Sequence, residues 1–433
     1  MKKINQFLYD NSLKIVIIFL FLQPLIDVLT AVSLTIFNSS FTVGLMTRFM
    51  FMIYMIYYCI FLSKNNKSKL IYLGVIFIYI LLYSINTIYL KGMDVVLYEL
   101  KSTLKSFYFP IILITLLSFF ENKKNSINIE KLSKLFIIYS LFVIIPNLFG
   151  IGFDAYAVTK GGSIGFFYTA NEIGAILSIL MISYIGYLFN KKEYIKLLLS
   201  ILVIIYMLTS IGTKGPLILF VVLILYFVIK YLKSLITLKK YKLFTLITTS
   251  FIILVSLFVL FIPKTNFYKN IVIHLQFLEV DSISDIITDK KILDHFIFSQ
   301  RLTFWEKTNE TYINSNISEK ILGIGYINNY STDNISMKMV EMDFIDIFYR
   351  HGVLGFILYF SIFITVLYKS FKGLFKSKMK DDLIEVYVIS IIFSVFLAFL
   401  TGHVLTSPSV SIYVALIIDL FYNEINRRKY END

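Results

Sequence analysis

Five titratable side chains crowd a short stretch of a strongly apolar chain, KMVEMDFIDIFYRHGVLGF, residues 338–356. They are Glu341, Asp343, Asp346, Arg350 and His351. In a helix, Asp343, Asp346 and Arg350 fall on one face, and Asp346 and Arg350 stand in an i,i+4 pair. A long apolar segment follows, so the cluster is predicted to lie at the mouth of a membrane span.

This cluster has two interpretations. Glu341 or Asp343 could act as a general base toward a substrate hydroxyl. Arg350 and His351 would then hold an anion or orient the acid. The alternative is a salt-bridged helix start, where acids are favoured by the helix dipole.

A second candidate is Lys214 in LTSIGTKGPLILF, at the start of an apolar segment. Gly212, Gly215 and Pro216 bend the backbone and leave free N–H groups near a helix N-terminus, which suits an anion. A lysine beside them favours phosphate. The alternative is a lysine that reaches toward the headgroups from a span end.

Arg301 and Trp305 in SQRLTFWEKT are four residues apart and share a helical face. Such a pair could grip a diphosphate through Arg301 while Trp305 stacks on a sugar or lipid. An ordinary Arg–Trp stack on an outer helix is the other interpretation.

The segment DVVLYELKSTLKSFYFP, residues 94–110, predicts an interfacial helix with a basic, tyrosine-lined face. The residues of that face are Asp94, Tyr98, Lys101, Lys105 and Tyr108. Lys105 is a candidate diphosphate ligand. A helix that simply lies on the headgroups would show the same pattern.

Arg48 and Asp27 lie inside apolar segments, where charges are costly and are usually paired or functional. Either they pair with each other as a structural unit, or Arg48 binds a diphosphate.

The elements that position these residues are membrane helices. The chain of 433 residues is 58% hydrophobic and only 16% charged, and apolar runs recur throughout. We predict an all-α polytopic membrane protein with about twelve spans. Their ranges are 13–37, 42–62, 70–90, 106–120, 132–149, 171–189, 195–210, 215–232, 243–262, 351–369, 384–401 and 409–423.

The distribution of Lys and Arg predicts the orientation of these spans. Most of the 41 basic residues fall at the N-terminus and in every second loop, so both termini are predicted to be cytoplasmic. Residues 1–262 then form nine spans, residues 263–350 form one large extracytoplasmic loop, and residues 351–433 form three spans and a tail. The single N-terminal apolar segment reads as an uncleaved span.

Several function classes have no support. The net charge of +13 is spread in short clusters between apolar runs, which indicates lipid headgroups rather than nucleic acid. Cys59 is the only cysteine, and His403, on the outer side, is not spaced with another His as a zinc pair. Neither a P-loop nor a dinucleotide fingerprint is present, so we expect no metal and no cofactor.

The order of these motifs resembles the O-antigen polymerase/ligase family, most closely its repeat-unit polymerases of the Wzy type. GFFYTANEIGAIL, with Asn171, is similar to an asparagine-containing segment of that family, and LTSIGTKGPLILF carries Lys214 where the family has Arg. SQRLTFWEKT, ILGIGY and VEMDFIDIFYRHGVLGF follow in the family's order around one large loop. The likeness runs from about Gly165 to the C-terminus. Many members carry His-Asn where this chain has Glu341-Met342-Asp343. If that His serves as a base, either an acid does its work here or the role lies elsewhere in the chain.

The resemblance implies a metal-independent membrane glycosyltransferase of the GT-C-like type that uses a polyprenyl diphosphate-linked oligosaccharide outside the cytoplasm. On that chemistry, Lys214 and Arg301 are the first expected diphosphate ligands, and Arg48 and Lys105 are further candidates. Substrate contacts are expected from Trp305, Asn171, Arg350, His351 and His403. The bilayer and the pathway's flippase and chain-length regulator are the expected partners.

Three rival functions remain open from the sequence. A ligase of the same family would transfer finished glycan to another acceptor. A flippase would carry charged groups along a path through many spans and would lack a large outer domain. A non-enzymatic partner in polysaccharide assembly is the third.

Overall fold

The structure is a computed structural model that describes residues 2–38, 42–63, 67–122, 126–156, 160–280, 286, 288–327, 338–377 and 381–432. The chain is helical over most of these residues. Its helices are α1 Lys2–Asp10, α2 Ser12–Thr35, α3 Val43–Tyr57, α4 Lys67–Lys91, α5 Val96–Phe120, α6 Ile129–Phe149, α7 Ala170–Asn190, α8 Tyr194–Ile211, α9 Lys214–Thr237, α10 Tyr241–Phe261, α11 Asn266–Phe277, α12 Lys290–Leu293, α13 Arg301–Ile313, α14 Ile317–Leu322, α15 Asp343–Ser377, α16 Asp382–Leu400 and α17 Pro408–Asn432.

Twelve of the described helical segments are long and apolar enough to cross a membrane. Each predicted span coincides with one of them, so the prediction of an all-α polytopic membrane protein is confirmed. A backbone in lipid must satisfy its own hydrogen bonds, which is why long apolar runs fold as helices.

Three helices form the centre of the bundle. Helices α5, α7 and α17 are largely buried, whereas α10 has no buried residue. Helix α17 packs against α5, and α7 packs against α6 and α16. The N-terminal ends of α3, α5, α7 and α17 therefore meet on one face of the bundle.

The sequence predicted an interfacial helix at residues 94–110, and in the structure this segment is the first part of a longer helix. Helix α5 runs without interruption from Val96 to Phe120, and the side chains of residues 106–120 are all buried. Lys101 and Lys105 therefore lie in the first half of a candidate membrane span, Met93–Phe120. The sequence suggested a surface helix because charged residues in a span are rare unless they face a polar interior.

The tenth span begins earlier than predicted. Helix α15 starts at Asp343, inside the predicted loop, and bends at Gly352, where φ is +63° and ψ is −174°. Only glycine adopts this conformation readily. A Cβ on Gly352 would lie 2.5 Å from the Ile321 carbonyl oxygen, so the bend also packs closely on α14.

The large loop contains helices α11 to α14. From the sequence, residues 283–313 are read as two short amphipathic helices, and α13 covers the second of these. Its first turn is held by the buried Asp294, whose carboxylate accepts from the Leu302 and Thr303 backbone N–H groups at 2.9 and 3.0 Å.

Candidate functional site

A cavity of about 610 Å³ opens between α2, α3, α5, α7 and the start of α17. We call it the cationic cavity. Its charged lining residues are Asp27, Arg48, Lys101, Lys105 and Glu172. Three cations and two carboxylates from four helices thus face one space, which is a costly arrangement unless it serves a ligand.

Arg48 is anchored before any ligand arrives. Its guanidinium forms an ion pair with Asp27, and its Nε donates to Gln23 Oε1 at 2.9 Å. The Tyr139 hydroxyl donates to the second Asp27 oxygen at 2.8 Å and accepts from Tyr413 at 3.1 Å. The predicted pairing of Arg48 with Asp27 is present, and Arg48 also lines the cavity.

Gly44 explains how α2 and α3 approach closely at this point. Its N–H donates to Thr30 Oγ1 at 2.8 Å. A Cβ on Gly44 would lie 2.5 Å from that oxygen and 2.8 Å from Arg48 Nη1, so glycine leaves the room that the Arg48 side chain occupies.

Lys101, Lys105 and Tyr108 follow each other at i, i+4 and i+7 on α5 and all line the cavity. This spacing places them on one helical face. Within the part of the chain that the structure describes, Lys105 has neither a hydrogen bond nor an ion pair. Its ammonium is therefore available to an anion in the cavity.

Glu172, which the sequence analysis did not single out, is the third functional element of the cavity. It lies in the first turn of α7, and its Oε1 accepts from Ser407 Oγ at 2.6 Å. Glu172 lines the cavity, and its other carboxylate oxygen has no hydrogen bond among the described residues. The signal was its place next to Asn171 at the start of a span, but Asn171 itself is exposed and does not line the cavity.

The mouth of the cavity is apolar. Met46, Phe49 and Met50 of α3 line it and are largely exposed on the surface of the bundle that would face lipid. A molecule that fits has an anionic head between the cations and an apolar chain in the bilayer.

The predicted residues Arg301 and Glu341 pair beside this cavity. Arg301 Nη2 donates to Glu341 Oε2 at 3.0 Å, and Arg301 Nε donates to the Glu341 carbonyl oxygen at 3.0 Å. Arg301 is buried and also contacts the Thr401 carbonyl oxygen at 3.4 Å. Its guanidinium joins the large loop to the end of α16.

Asp343 organises the turn that precedes α17. One oxygen accepts from His403 N at 2.8 Å and Thr406 Oγ1 at 2.7 Å, and the other from the backbone N–H groups of Val404 and Leu405. Asp343 is 1% exposed. Four hydrogen bonds leave its carboxylate poorly placed to take a substrate proton, so its geometry fits a positioning role.

The turn that Asp343 holds leads directly into the cavity. Ser407, Pro408 and Ser409 follow it and line the cationic cavity, and Ser407 donates to Glu172. We call Arg301, Glu341, Asp343 and His403 the rim cluster. The cluster and the cavity are joined through residues 403–409.

Of the remaining charged residues of the segment 338–356, Asp346 and Arg350 bind backbone groups and His351 contacts a tyrosine hydroxyl. Asp346 accepts from the N–H groups of Val340 and Glu341 at 2.9 and 2.8 Å. Arg350 donates to the Gly325 carbonyl oxygen at 2.8 Å, and His351 Nε2 lies 3.0 Å from the Tyr326 hydroxyl. Both Arg350 and His351 are buried, and neither lines the cavity.

Lys214 and Trp305 lie apart from the cavity lining. Lys214 Nζ donates to the Phe296 carbonyl oxygen at 2.8 Å and sits 3.7 Å from the centre of its ring. Trp305 is 39% exposed and donates from Nε1 to the Tyr349 hydroxyl at 3.0 Å. Of the predicted diphosphate ligands, Arg48 and Lys105 share the cavity, whereas Lys214 and Arg301 lie outside its lining.

The chain belongs to the O-antigen ligase like membrane protein family, whose model matches residues 9–295 and 284–427. The match covers nearly the whole chain, including the first spans, where the resemblance was weaker. No curated protein sequence matches the chain. Family membership places the chain among membrane enzymes that process glycans.

Proposed function

We propose that this member of the family is a polysaccharide polymerase. It joins polyprenyl diphosphate-linked oligosaccharide repeat units at the outer face of the cytoplasmic membrane. The observation that carries the proposal is the cationic cavity. Its three cations suit a diphosphate, its apolar mouth suits a polyprenyl chain, and a carboxylate stands beside them.

Glycosyl transfer first requires that the departing diphosphate be stabilised, and the cations of the cavity can do this. Negative charge grows on that group as the glycosidic bond to it breaks, and fixed cations in a site of low dielectric stabilise such charge strongly. Arg48 is already paired with Asp27. Lys105, which has neither a hydrogen bond nor an ion pair among the described residues, therefore supplies free positive charge, Lys101 adds a second ammonium to the lining, and Arg48 supplies directed N–H donors.

Glycosyl transfer also requires a base that takes the proton of the acceptor hydroxyl, and we assign this role to Glu172. The hydroxyl oxygen of the acceptor sugar attacks the anomeric carbon while its proton passes to Glu172. The bond from that carbon to the diphosphate oxygen breaks, and the diphosphate leaves with the electron pair. Ser407 holds the other Glu172 oxygen and fixes the direction of the carboxylate.

Glu341 is the competing base. Its side chain is one-third exposed, but it is paired with Arg301 and does not line the cavity. The metal-independent mechanism and the roles of Trp305, His403 and the large loop in seating sugars remain part of the proposal, as the family resemblance implies.

The test is an analysis of lipid-linked glycans in the native host after Lys105→Ala and Glu172→Gln. Losing one stabilising group for a developing oxyanion costs about 10²–10³-fold in rate. We expect long polymer to disappear and single-repeat polyprenyl diphosphate oligosaccharide to accumulate on the outer leaflet. Lys134→Ala, which removes an exposed lysine paired with Glu130, is the matched control with unchanged polymer.

Other outcomes of this test identify the rivals. Long polymer that persists on its lipid carrier without being transferred would make the protein a ligase. Accumulation of the single repeat on the inner leaflet would make it a flippase. If both variants make normal polymer at normal protein levels, the cavity takes no part in the reaction.

A further inference from the structure

A buried carboxylate lies in the middle of α17, outside the lining of the cationic cavity. Asp419 follows Ser409 by ten residues, which corresponds to about 15 Å along the helix axis. Its side chain is 0% exposed, and neither of its carboxylate oxygens has a hydrogen bond among the described residues. An ionisable group inside a membrane is costly, so a buried acid without a partner is a candidate for a binding function.

Lys69 of α4 is the charged residue whose electrostatic field acts on Asp419. Lys69 is 8% exposed, and its Nζ lies 2.5 Å from Glu121 Oε2 at the end of α5. This contact is not aligned as a hydrogen bond. The Glu121 side chain is 44% exposed. Lys69 thus serves two carboxylates, one that water reaches and one that is buried.

The end of α3 lies beside this ion pair and is irregular. It closes in a π-helical turn, Tyr58–Leu62, in which Cys59 Sγ lies 3.3 Å from Ser118 Oγ of α5. The charges of Lys69 and Glu121 both act on Cys59. Single π-helical turns are rare and are frequent at functional sites. An irregular helix end and an unpartnered acid therefore flank the same lysine.

The helices that pack against α17 bring few other titratable groups to this part of the bundle. Helix α5 carries none between Tyr108 and Glu121, and α7 carries only two tyrosines after Glu172. Lys369 and Lys372 of α15 are exposed.

Two further ion-pair networks tie α16 to its neighbours. Their members are Arg428 with Asp381 and Glu424, and Lys230 with Asp382 and Glu385. Each of these two cations already has two carboxylates. Lys69 is therefore the cation that can serve Asp419.

We propose that Asp419 is a proton-binding site and that its proton decides which carboxylate Lys69 pairs with. A protonated Asp419 is neutral, so it can stay buried without a partner while Lys69 pairs with Glu121. The structure has this arrangement. When the proton leaves to the water at the Glu121 end, the new carboxylate attracts Lys69, whose flexible stem permits the change. Glu121 is then hydrated by water, which costs little at an exposed position.

The exchange replaces a contact between α4 and α5 by one between α4 and α17. The ligand of the site is a proton from the face of the bundle opposite the cationic cavity. The inference is independent of the proposed function, because Lys69, Glu121 and Asp419 all lie outside the cavity lining.

Infrared spectroscopy of the full chain in nanodiscs tests the proposal, because a protonated carboxyl group absorbs at a frequency where a carboxylate does not. We expect the unchanged protein at neutral pH to show a protonated-carboxyl band that Asp419→Asn lacks. Raising the pH should remove this band. Identical carboxyl bands in the unchanged protein and in Asp419→Asn would overturn the proposal.

Two variants should move the midpoint of this titration in opposite directions. Lys69→Met removes the cation that stabilises the Asp419 carboxylate, so the band should persist to higher pH. Glu121→Gln releases Lys69 to Asp419, so the band should disappear at lower pH. Each shift should be about one pH unit or more, as is found for a nearby opposite charge.

Glu130→Gln is the matched control, because it removes a half-exposed carboxylate that pairs with Lys134 on α6. It should leave the midpoint unchanged. Glu121→Gln alters only a half-exposed side chain at a helix end, so a shift in that variant cannot be ascribed to misfolding. Midpoints that stay unchanged in Lys69→Met and Glu121→Gln, or that move in the same direction, would overturn the exchange of partners.

Discussion

At the scale of single residues, the charges inside the membrane divide into anchored and available groups. Arg48, Asp27 and Tyr139 form a closed network, and Asp343 has four hydrogen bonds. Lys105 and one oxygen of Glu172 are left toward the cavity. Anchored charges shape the site, and available charges act on the substrate.

Removing one member of the Arg48–Asp27 ion pair should destabilise the protein more than replacing both members with apolar residues. Asp27→Leu leaves Arg48 as a buried, unpaired cation, which costs about 3–5 kcal/mol in comparable pairs. Asp27→Leu/Arg48→Met removes both charges and should recover most of that loss. Thermal unfolding of the protein in detergent measures the difference, and equal midpoints for the two variants would show that the pair is not coupled.

A contact between two residues can be predicted from the sequence when their chemistry leaves them few other partners. Two opposite charges in adjacent spans have few partners other than each other, so Arg48 and Asp27 could be paired in advance. Glu172 was missed because its role depends on which face of α7 meets α5 and α17. Asp343 contacts residues 60 positions away, and no local pattern shows that its oxygens are occupied.

At the scale of elements, the loop that follows α14 is tied to the spans that carry the cavity. Glu99 of α5 is buried and accepts from the backbone N–H groups of Tyr326 and Ile327 at 2.9 Å. Lys91 of α4 pairs with Glu99 at 3.0 Å. One side of α5 thus holds the large loop, while the other presents Lys101 and Lys105 to the cavity.

Gly352, at the bend in α15, should be essential for the stability of the fold. Gly352→Ala places a Cβ 2.5 Å from the Ile321 carbonyl oxygen and forces a conformation that only glycine adopts readily. We expect a loss of about 3 kcal/mol or more of unfolding free energy. Unfolding midpoints measure it.

Gly74→Ala is the control for this bend, because a Cβ there meets nothing within 4 Å. It should be neutral or stabilise α4 by up to about 1 kcal/mol. Similar midpoints for Gly352→Ala and the unchanged protein would contradict the account of the bend.

Element boundaries show why the sequence predicts spans better than their ends. Hydropathy is a local property, so all twelve spans were found. The start of α5 was misplaced because Lys101 and Lys105 are polar, and sequence alone does not reveal that a cavity receives them. The start of α15 was misplaced because its polar first turns precede the apolar run.

At the scale of the whole molecule, the cationic cavity lies on the face of the bundle where α3, α5, α7 and α17 begin. The rim cluster is joined to it through residues 403–409. The distribution of Lys and Arg predicts that this face is extracytoplasmic. Nucleotide donors are absent there, so a glycosyl diphosphate that carries its own activation is the donor that this placement favours.

The central claim is that the cavity performs glycosyl transfer between two lipid-linked repeats, and reconstitution tests it most directly. The purified protein in liposomes receives a single-repeat polyprenyl diphosphate oligosaccharide, with EDTA and no nucleotide, and products are resolved by length. The account predicts lipid-linked products of two or more repeats together with released polyprenyl diphosphate, and loss of at least about 100-fold in rate for Glu172→Gln. Unextended substrate with the unchanged protein, or full activity in Glu172→Gln, would contradict it.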